Sequence, residues 1–171
     1  MRRVLSSLAV TGCLLTGFSS AAWAQNSLPG FVLFSGVKAE NQLPFRLDFG
    51  GQANAWDRYI LRIPQQKMKL AVAQFSVTYP DYYQGSFDTK AIEVRIKGKK
   101  VPLSEVKWNK EARIIEIFPE TPVPAGSKVE LVLSNVKNPP FGGVFYFNCQ
   151  VLSPGDVPLL RYVGSWILSI S

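Results

Sequence analysis

The sequence predicts an all-β domain, a sandwich of about seven to nine mostly antiparallel strands. Apolar and polar residues alternate over short segments, which is the period of a half-buried strand. The 12 prolines and 13 glycines fall mainly where this alternation stops, as turns between strands would. No segment carries an apolar stripe over three helical turns, so we expect helices to contribute little.

Strands in the first half of the domain follow from the alternation. Tyr59, Leu61 and Ile63 fall on one face, and Pro64 ends this run because proline cannot donate to a sheet. The next apolar segment is the longest and keeps the same two-residue period. The expected strands are Phe31 to Val37, Phe45 to Phe49, Arg58 to Ile63 and Leu70 to Tyr79.

The second half continues the pattern after an aromatic-rich loop. Ile92, Val94 and Ile96 make an inward row, and a Lys-Gly turn at 97–98 leads toward Val101 and Leu103. Further strands are expected at Arg113 to Phe118, Lys128 to Leu133, Val144 to Leu152 and Trp166 to Ile170. Single helical turns are compatible with Asn54 to Asp57 and with Ser104 to Lys107. The even spacing of short strands favours an immunoglobulin-like sandwich.

The first 24 residues have the pattern of a cleaved export signal. A pair of arginines precedes an apolar run from Val4 to Phe18, and a small-x-small cleavage site, Ala22-Trp23-Ala24, lies ahead of Gln25. About 15 apolar residues are fewer than the roughly 20 that span a bilayer as a helix. We therefore expect a signal peptide over 1–24 and a single domain over 25–171, with no transmembrane segment after cleavage.

Two alternatives to cleavage stay open. The first is a leader that remains attached as a membrane helix. The second is lipidation at Cys13, because Val10-Thr11-Gly12-Cys13 matches the pattern of a bacterial lipobox. The apolar run continues past Cys13 to Phe18, which favours cleavage over lipidation.

The sequence contains no histidine, and this argues against several classes of catalytic and metal-binding site. Ser-His-Asp and Cys-His catalysis need an imidazole, and most zinc and copper sites use histidine or several cysteines. Once the leader is removed, Cys149 is the remaining cysteine, and its apolar neighbours indicate a buried strand. We therefore expect a monomer that is not an enzyme and holds no metal or cofactor.

The chain is moderately basic, with 19 lysines and arginines against 12 acidic residues and a formal charge of +7. For an exported protein this charge favours anionic lipid, lipopolysaccharide or acidic polysaccharide, and no nucleic-acid partner is expected. The densest basic surface comprises Arg95, Lys97, Lys99 and Lys100. These residues also fit the solvent face of a hairpin, where lysines discourage pairing with other strands.

The segment from Tyr79 to Asp88 is the best candidate for a binding loop. It is rich in turn residues and holds four aromatic rings. Tyrosine beside Asp and Gln suits a sugar ring or a partner protein, because the ring supplies apolar area while polar groups make hydrogen bonds. The candidate residues are Asp81, Tyr82, Tyr83 and Asp88, together with Trp56 from another loop. Two alternatives are that the rings seal the end of the sandwich, or that Asp81 and Asp88 bind calcium.

A set of motifs runs through the chain from about Phe75 to Ser171. They are Pro122-x-Pro124-x-Gly126, Asn138-Pro139, Gly142-Gly143-Val144-Phe145-Tyr146-Phe147, Pro154-Gly155-Asp156 with Pro158, and Arg161-Tyr162-Val163-Gly164. In this order they resemble a family of exported cyanobacterial proteins described as a domain of unknown function. The resemblance implies a β-sandwich in the periplasm, outer envelope or thylakoid lumen, and it carries over no activity and no catalytic residue.

Two functional hypotheses follow. The first is a non-catalytic exported β-sandwich that binds or structures cell-envelope material, either polysaccharide or an envelope protein. The second is an accessory subunit that docks on a membrane or photosynthetic complex through the basic hairpin. Docking driven by electrostatic attraction should lose affinity steeply as the salt concentration rises, whereas stacking on sugar rings should not.

Overall fold

Ten strands form in the described residues where the sequence alternates apolar and polar side chains. The computed structural model describes residues 36–155 and 159–171, so the predicted signal peptide and most of the predicted strand Phe31 to Val37 lie outside it. The strands are β1 (Phe45–Leu47), β2 (Trp56–Ile63), β3 (Gln74–Thr78), β4 (Ile92–Ile96), β5 (Lys99–Val101), β6 (Leu103–Asn109), β7 (Ile114–Pro119), β8 (Val129–Lys137), β9 (Gly143–Leu152) and β10 (Leu160–Ile170). Short 3-10 turns lie at Ala39–Asn41, Gln65–Lys67 and Thr89–Ala91. Within this part of the chain, no helix is long and apolar enough to cross a membrane.

The strands pair into two antiparallel sheets of five strands each across the described residues. Sheet I has the order β1-β2-β8-β4-β5, and sheet II has the order β10-β9-β3-β7-β6. Neighbours along the chain pair as hairpins in β4–β5, β6–β7 and β9–β10, while β8 and β3 occupy the sheet centres. The two layers form an immunoglobulin-like sandwich, which confirms the predicted fold class.

The hydrophobic core lies between the two sheets. Tyr59, Leu61 and Ile63 of β2 are fully buried, as the alternation predicted. They share one buried cluster with Phe75 of β3 and Trp166 of β10. Burying each large apolar side chain stabilises the fold by about 1.5–3 kcal/mol, so this cluster holds the two layers together.

Cys149 of β9 is a buried core residue, as the sequence predicted. It lies opposite Val77 of β3 on one side and Gly164 of β10 on the other. Burial raises the pKa of the thiol well above its ordinary value of 9.0. The folded protein therefore keeps this cysteine protonated and shielded from solvent.

One local prediction was wrong, and a second was right only in part. The segment Ser104 to Lys107 forms part of β6 rather than a helical turn. This strand lies at the edge of sheet II, and its residues are only half-buried or exposed, so the apolar alternation in the sequence is weak. The segment Asn54 to Asp57 is a turn only in its first half, because β2 already begins at Trp56.

Candidate functional site

Three connections meet at one end of the sandwich: 48–55 between β1 and β2, 79–91 between β3 and β4, and 138–142 between β8 and β9. Asn138 joins the first and the last of these connections, although only 2% of its surface is exposed. Its side-chain Nδ2 donates to the carbonyl of Gln52 at 2.8 Å, and its backbone N–H donates to the carbonyl of Ala55 at 2.9 Å. Its Oδ1 accepts a hydrogen bond of 2.5 Å from the hydroxyl of Tyr59. A buried amide paired in this way fixes the loops rigidly to the core.

A buried tyrosine anchors the β3–β4 connection to the same network. The Tyr83 hydroxyl lies 3.1 Å from the Tyr59 hydroxyl, and the Tyr83 ring stacks on Phe87 with 5.5 Å between centroids. Burial raises the pKa of both tyrosines well above the ordinary value of 10.0, so both hydroxyls stay protonated. Since the proton of Tyr59 points to Asn138, Tyr83 is the donor to Tyr59.

The predicted binding loop divides between core and surface. Tyr83, which the sequence placed among the binding residues, is 4% exposed because its ring completes an aromatic cluster with Tyr79 and Phe87. Tyr82, the adjacent residue, is 54% exposed, and Asp81 is also exposed. Three of the four rings of this loop therefore seal the end of the sandwich, while Tyr82 faces solvent.

Trp56 and Asp88, predicted from different segments, line one groove of about 380 Å³. We call it the Trp56 groove; its lining residues are Trp56, Ser86, Phe87, Asp88 and Asn135. The Trp56 side chain is 62% exposed, which is unusual for a tryptophan in a small domain. Two of the predicted site residues thus come together here.

Backbone pairing explains how distant residues reach this groove. Trp56 of β2 lies opposite Lys137 of β8. Lys137 in turn exchanges two backbone hydrogen bonds of 2.9 Å with Ser86 of the β3–β4 connection. This bridge adds the connection to sheet I beside β8 and brings Asp88, two residues further on, next to Asn135.

A β-bulge aims Asn135 into the Trp56 groove. The register between β2 and β8 shifts here, so that Ser134 and Asn135 both lie opposite Arg58. Asn135 has a φ of 53°, in the left-handed region that asparagine tolerates better than most residues. Its Nδ2 donates to Oδ2 of Asp88 at 3.1 Å. Bulges are common where a strand must redirect a side chain at a functional site.

The Trp56 groove combines a flat apolar ring with hydrogen-bonding groups. The Lys137 Nζ lies 5.6 Å from the Trp56 ring centroid and donates to the carbonyl of Asn54 at 2.6 Å. Oδ1 of Asp88 accepts the backbone N–H of Lys90 at 3.0 Å, which fixes the carboxylate. This arrangement can stack a sugar ring on the indole and hydrogen-bond its hydroxyls to a carboxylate and an amide.

The structure separates the two carboxylates considered for calcium. Asp88 faces the Trp56 groove, whereas Asp81 lines a different depression with Trp108, Lys110 and Arg113. In the parts of the chain that the structure describes, no group of three or more His, Cys, Asp or Glu side chains is arranged to hold a metal ion.

Tyr82 lines a second, apolar depression of about 280 Å³. Its hydroxyl donates to the carbonyl of Val144 at 3.3 Å, and its ring lies 5.5 Å from that of Phe145. Phe141, also on the rim, is 75% exposed. Tyr82 and Trp56 are therefore exposed in two separate cavities rather than one.

The predicted basic surface forms the β4–β5 hairpin, whose turn contains Lys97 and Gly98 at positive φ. Arg95 pairs with Glu93 at 2.7 Å, and Lys100 makes an ion pair with the same carboxylate. These partners lower the pKa of Glu93, mainly through the hydrogen bond from Lys100. One carboxylate thus offsets part of the charge that the sequence assigns to this surface.

Sequence reasoning missed three residues of the site: Asn135, Lys137 and Ser86. Lys137 and Ser86 carry no distinctive sequence signal, because a polar residue at a strand end or in a loop is ordinary. Asn135 was open to detection, because asparagine within a strand is unfavourable and indicates a bulge.

Solved structures are similar to this chain at low sequence identity. BslA, a bacterial hydrophobin, matches with a TM-score of 0.49 and 15% identity, over 76% of this chain and 92% of that one. An immunoglobulin-like protein from Nocardia farcinica matches with 0.44 and 12%, over 76% and 98%. The C-terminal fragment of the major pilin GBS80 of Streptococcus agalactiae matches with 0.47 and 9%, over 75% and 55%. At these identities the likeness concerns the fold alone.

No curated protein matches the chain. A protein-family model matches residues 31–170, which include all ten strands of the described residues. The match therefore extends over both sheets and the Trp56 groove.

Proposed function

The chain belongs to the family described as "Protein of unknown function (DUF2808)", and we propose a function for it. It is an exported, non-catalytic module that binds cell-envelope polysaccharide at the Trp56 groove. The exposed indole of Trp56, held beside Asp88 and Asn135, carries the proposal. The leader pattern of the first 24 residues supports export.

The rigidity of the site supports binding. Trp56 begins β2 and lies opposite Lys137, and the β3–β4 connection is fixed by buried Tyr83. A ligand that stacks on a preorganised ring loses less affinity to the ordering of loops.

The chemistry of the groove favours binding over catalysis. Asp88 already accepts hydrogen bonds from Asn135 and from the backbone of Lys90. The sequence offers no histidine to serve as a general base. Aromatic stacking with lateral hydrogen bonds needs neither an unpaired carboxylate nor a histidine, and it fits a neutral or weakly charged sugar ring.

The test is co-sedimentation of the mature chain, Gln25 to Ser171, with insoluble cell-envelope polysaccharide at low and high salt. Pelleting should resist salt and should be lost in Trp56→Ala. Leu70→Ala is the control, because Leu70 is a similarly exposed apolar side chain, 54% exposed, outside the groove. Pelleting that is equal in Trp56→Ala and in the unaltered chain would disprove the groove as the site.

The same experiment with membranes tests docking through the basic hairpin. Lys97 and Lys99 are exposed at its turn. If the hairpin carries the function, the chain should pellet with membranes at low salt, and the double substitution Lys97→Glu/Lys99→Glu should abolish this. That outcome, with no polysaccharide binding, would replace the proposal by an accessory docking subunit.

A further inference from the structure

Three of the five strands of sheet II, β10, β9 and β3, present an outer face without charged side chains. Along β9 the inward residues Phe145, Phe147 and Cys149 are buried, so the alternate residues point outward. No outward position of these three strands carries a charged side chain. Val144 and Tyr146 on β9 and Leu160 and Tyr162 on β10 are exposed, whereas Ser76 and Ser165 are fully buried. We call this surface the β10–β9–β3 face.

The absence of charge is specific to this surface. Outward positions of the other long strands carry Arg62 on β2, Glu93 on β4, Lys107 on β6 and Glu130 on β8. Charged residues are normally interspersed over a soluble surface, and their depletion together with exposed aromatic residues is typical of a binding surface. The β10–β9–β3 face therefore differs in composition from the rest of the described domain.

Hydroxyl and amide groups form a lateral network across this face. The Ser165 Oγ donates to Oδ1 of Asn148 at 2.5 Å, and the Tyr162 hydroxyl lies 2.7 Å from the same Oγ. On β3, Nε2 of Gln74 donates to Oγ of Ser76 and to Oε1 of Glu116 on β7, both at 2.9 Å, so the uncharged surface ends at β3. Side chains linked in this way are held in fixed positions on the sheet, as a preorganised binding surface requires.

Two tyrosines stand above this network. Tyr146 is 38% exposed and Tyr162 is 44% exposed. Tyr162 lies opposite Gln150 and Tyr146 lies four residues from it along β9, so a distance of about 14 Å along the strands separates the two rings. Each ring offers apolar area beside amide groups, which is the combination that a sugar ring binds.

The size of the face argues against a second copy of the chain as its occupant. Three strands about 4.8 Å apart, followed from Val144 to Leu152, cover a planar footprint of roughly 400 Å². A stable protein interface buries about 800 Å² on each partner. A single extended polymer chain, by contrast, fits a narrow strip that follows the strand direction.

We propose that the β10–β9–β3 face binds a neutral polysaccharide chain that lies along the strands, as a second site distinct from the Trp56 groove. The two sites use different side chains, so the proposal does not depend on the groove. One domain with two sites binds a long polymer more tightly than a short oligosaccharide, and it can link two polymer chains.

The test is affinity electrophoresis of the mature chain in gels that contain hydroxyethyl cellulose, a neutral polymer, or alginate, an acidic one. Retardation is expected with hydroxyethyl cellulose, whereas any retardation by alginate through the basic charge of the chain should be the same in the tyrosine variant. The apparent Kd should rise about tenfold in Tyr146→Ala/Tyr162→Ala, as expected from the loss of two stacking contacts. Circular dichroism and the midpoint of urea unfolding show that the variant is folded, and Ile167→Ala is a control on the same face without loss of a ring.

Several outcomes separate this proposal from the proposed function. If retardation is lost in Trp56→Ala and unchanged in Tyr146→Ala/Tyr162→Ala, the second site is overturned and the Trp56 groove stands. If the tyrosine variant alone loses retardation, the face is the site and the groove is not. Retardation by alginate alone overturns the neutral ligand. A concentration-dependent dimer in sedimentation velocity that the tyrosine substitutions abolish would assign the face to a second copy instead.

Discussion

The hydroxyl of Tyr59 donates a 2.5 Å hydrogen bond to Oδ1 of Asn138, a residue 79 positions later in the chain. Tyr59 is buried in β2, while Asn138 begins the connection that leads into β9. Through Tyr83 the same hydroxyl also reaches the β3–β4 connection. One buried polar contact thus joins the core of sheet I to the loops that build the Trp56 groove.

Removing this hydroxyl should destabilise the fold. In Tyr59→Phe, the buried Oδ1 of Asn138 and the hydroxyl of Tyr83 both lose a partner, and we expect a loss of about 1–3 kcal/mol in the free energy of unfolding. Urea denaturation at neutral pH measures it. Tyr146→Phe is the matched control, because Tyr146 is partly exposed and water can fill the place of the lost hydroxyl. This substitution should change the free energy of unfolding by less than about 0.5 kcal/mol. Equal effects of the two substitutions would contradict the network.

Gly85→Ala should distort the loop that carries Asp88. A Cβ on Gly85 would lie 2.5 Å from the Tyr83 ring and 2.6 Å from the carbonyl of Lys137. Relief requires moving either a buried ring or the backbone bridge to β8, so we expect a lower melting temperature and weaker polysaccharide binding. Gly36→Ala is the control, because nothing lies within 4 Å of its added Cβ. A Gly85→Ala variant with the stability of the unaltered chain would refute this packing.

Substitutions at Asn135 should separate backbone geometry from binding. Asn135→Val places a β-branched residue at a φ of 53°, which costs about 1–2 kcal/mol in unfolding free energy. Asn135→Gly keeps that geometry without strain but removes the amide beside Asp88. We expect Asn135→Gly to keep near-normal stability and to lose affinity for polysaccharide in co-sedimentation. If its binding is unchanged, Asn135 shapes the strand and does not contact the ligand.

Alkaline pH should destabilise the protein in two stages. In the unfolded chain the thiol of Cys149 ionises near 9.0 and the phenols of Tyr59 and Tyr83 near 10.0, while burial raises all three pKa values in the folded protein. The folded state retains protons that the unfolded state releases, so this stability is complete below about pH 9 and declines as the pH rises further. Urea midpoints measured from about pH 7 to pH 11 should follow this course.

The role of Cys149 in this pH dependence has its own control. Cys149→Ala removes the thiol, so the decline between about pH 9 and pH 10 should become shallower, while the decline attributed to the tyrosines remains. The thiol should also resist an aromatic disulfide reagent in the folded protein and react after unfolding. A fast reaction in the native state would place Cys149 at the surface.

The sequence by itself determined the strands and most of their inward faces. The two-residue period is a local property, so the burial of Tyr59, Leu61 and Cys149 followed from neighbouring residues alone. The hairpin around Gly98 followed in the same way from turn chemistry. The absence of histidine likewise argues against catalysis that needs an imidazole, independently of the fold.

The tertiary structure alone decided which candidate residues line the same groove. Trp56, Asp88 and Asn135 lie on three different segments. They come together because β2 and the β3–β4 connection pair with opposite sides of β8, and because a bulge in β8 turns Asn135 toward Asp88. The same packing buries Tyr83 and leaves its neighbour Tyr82 exposed. Register and bulges depend on contacts between segments far apart in the chain, and a local pattern of residues does not contain that information.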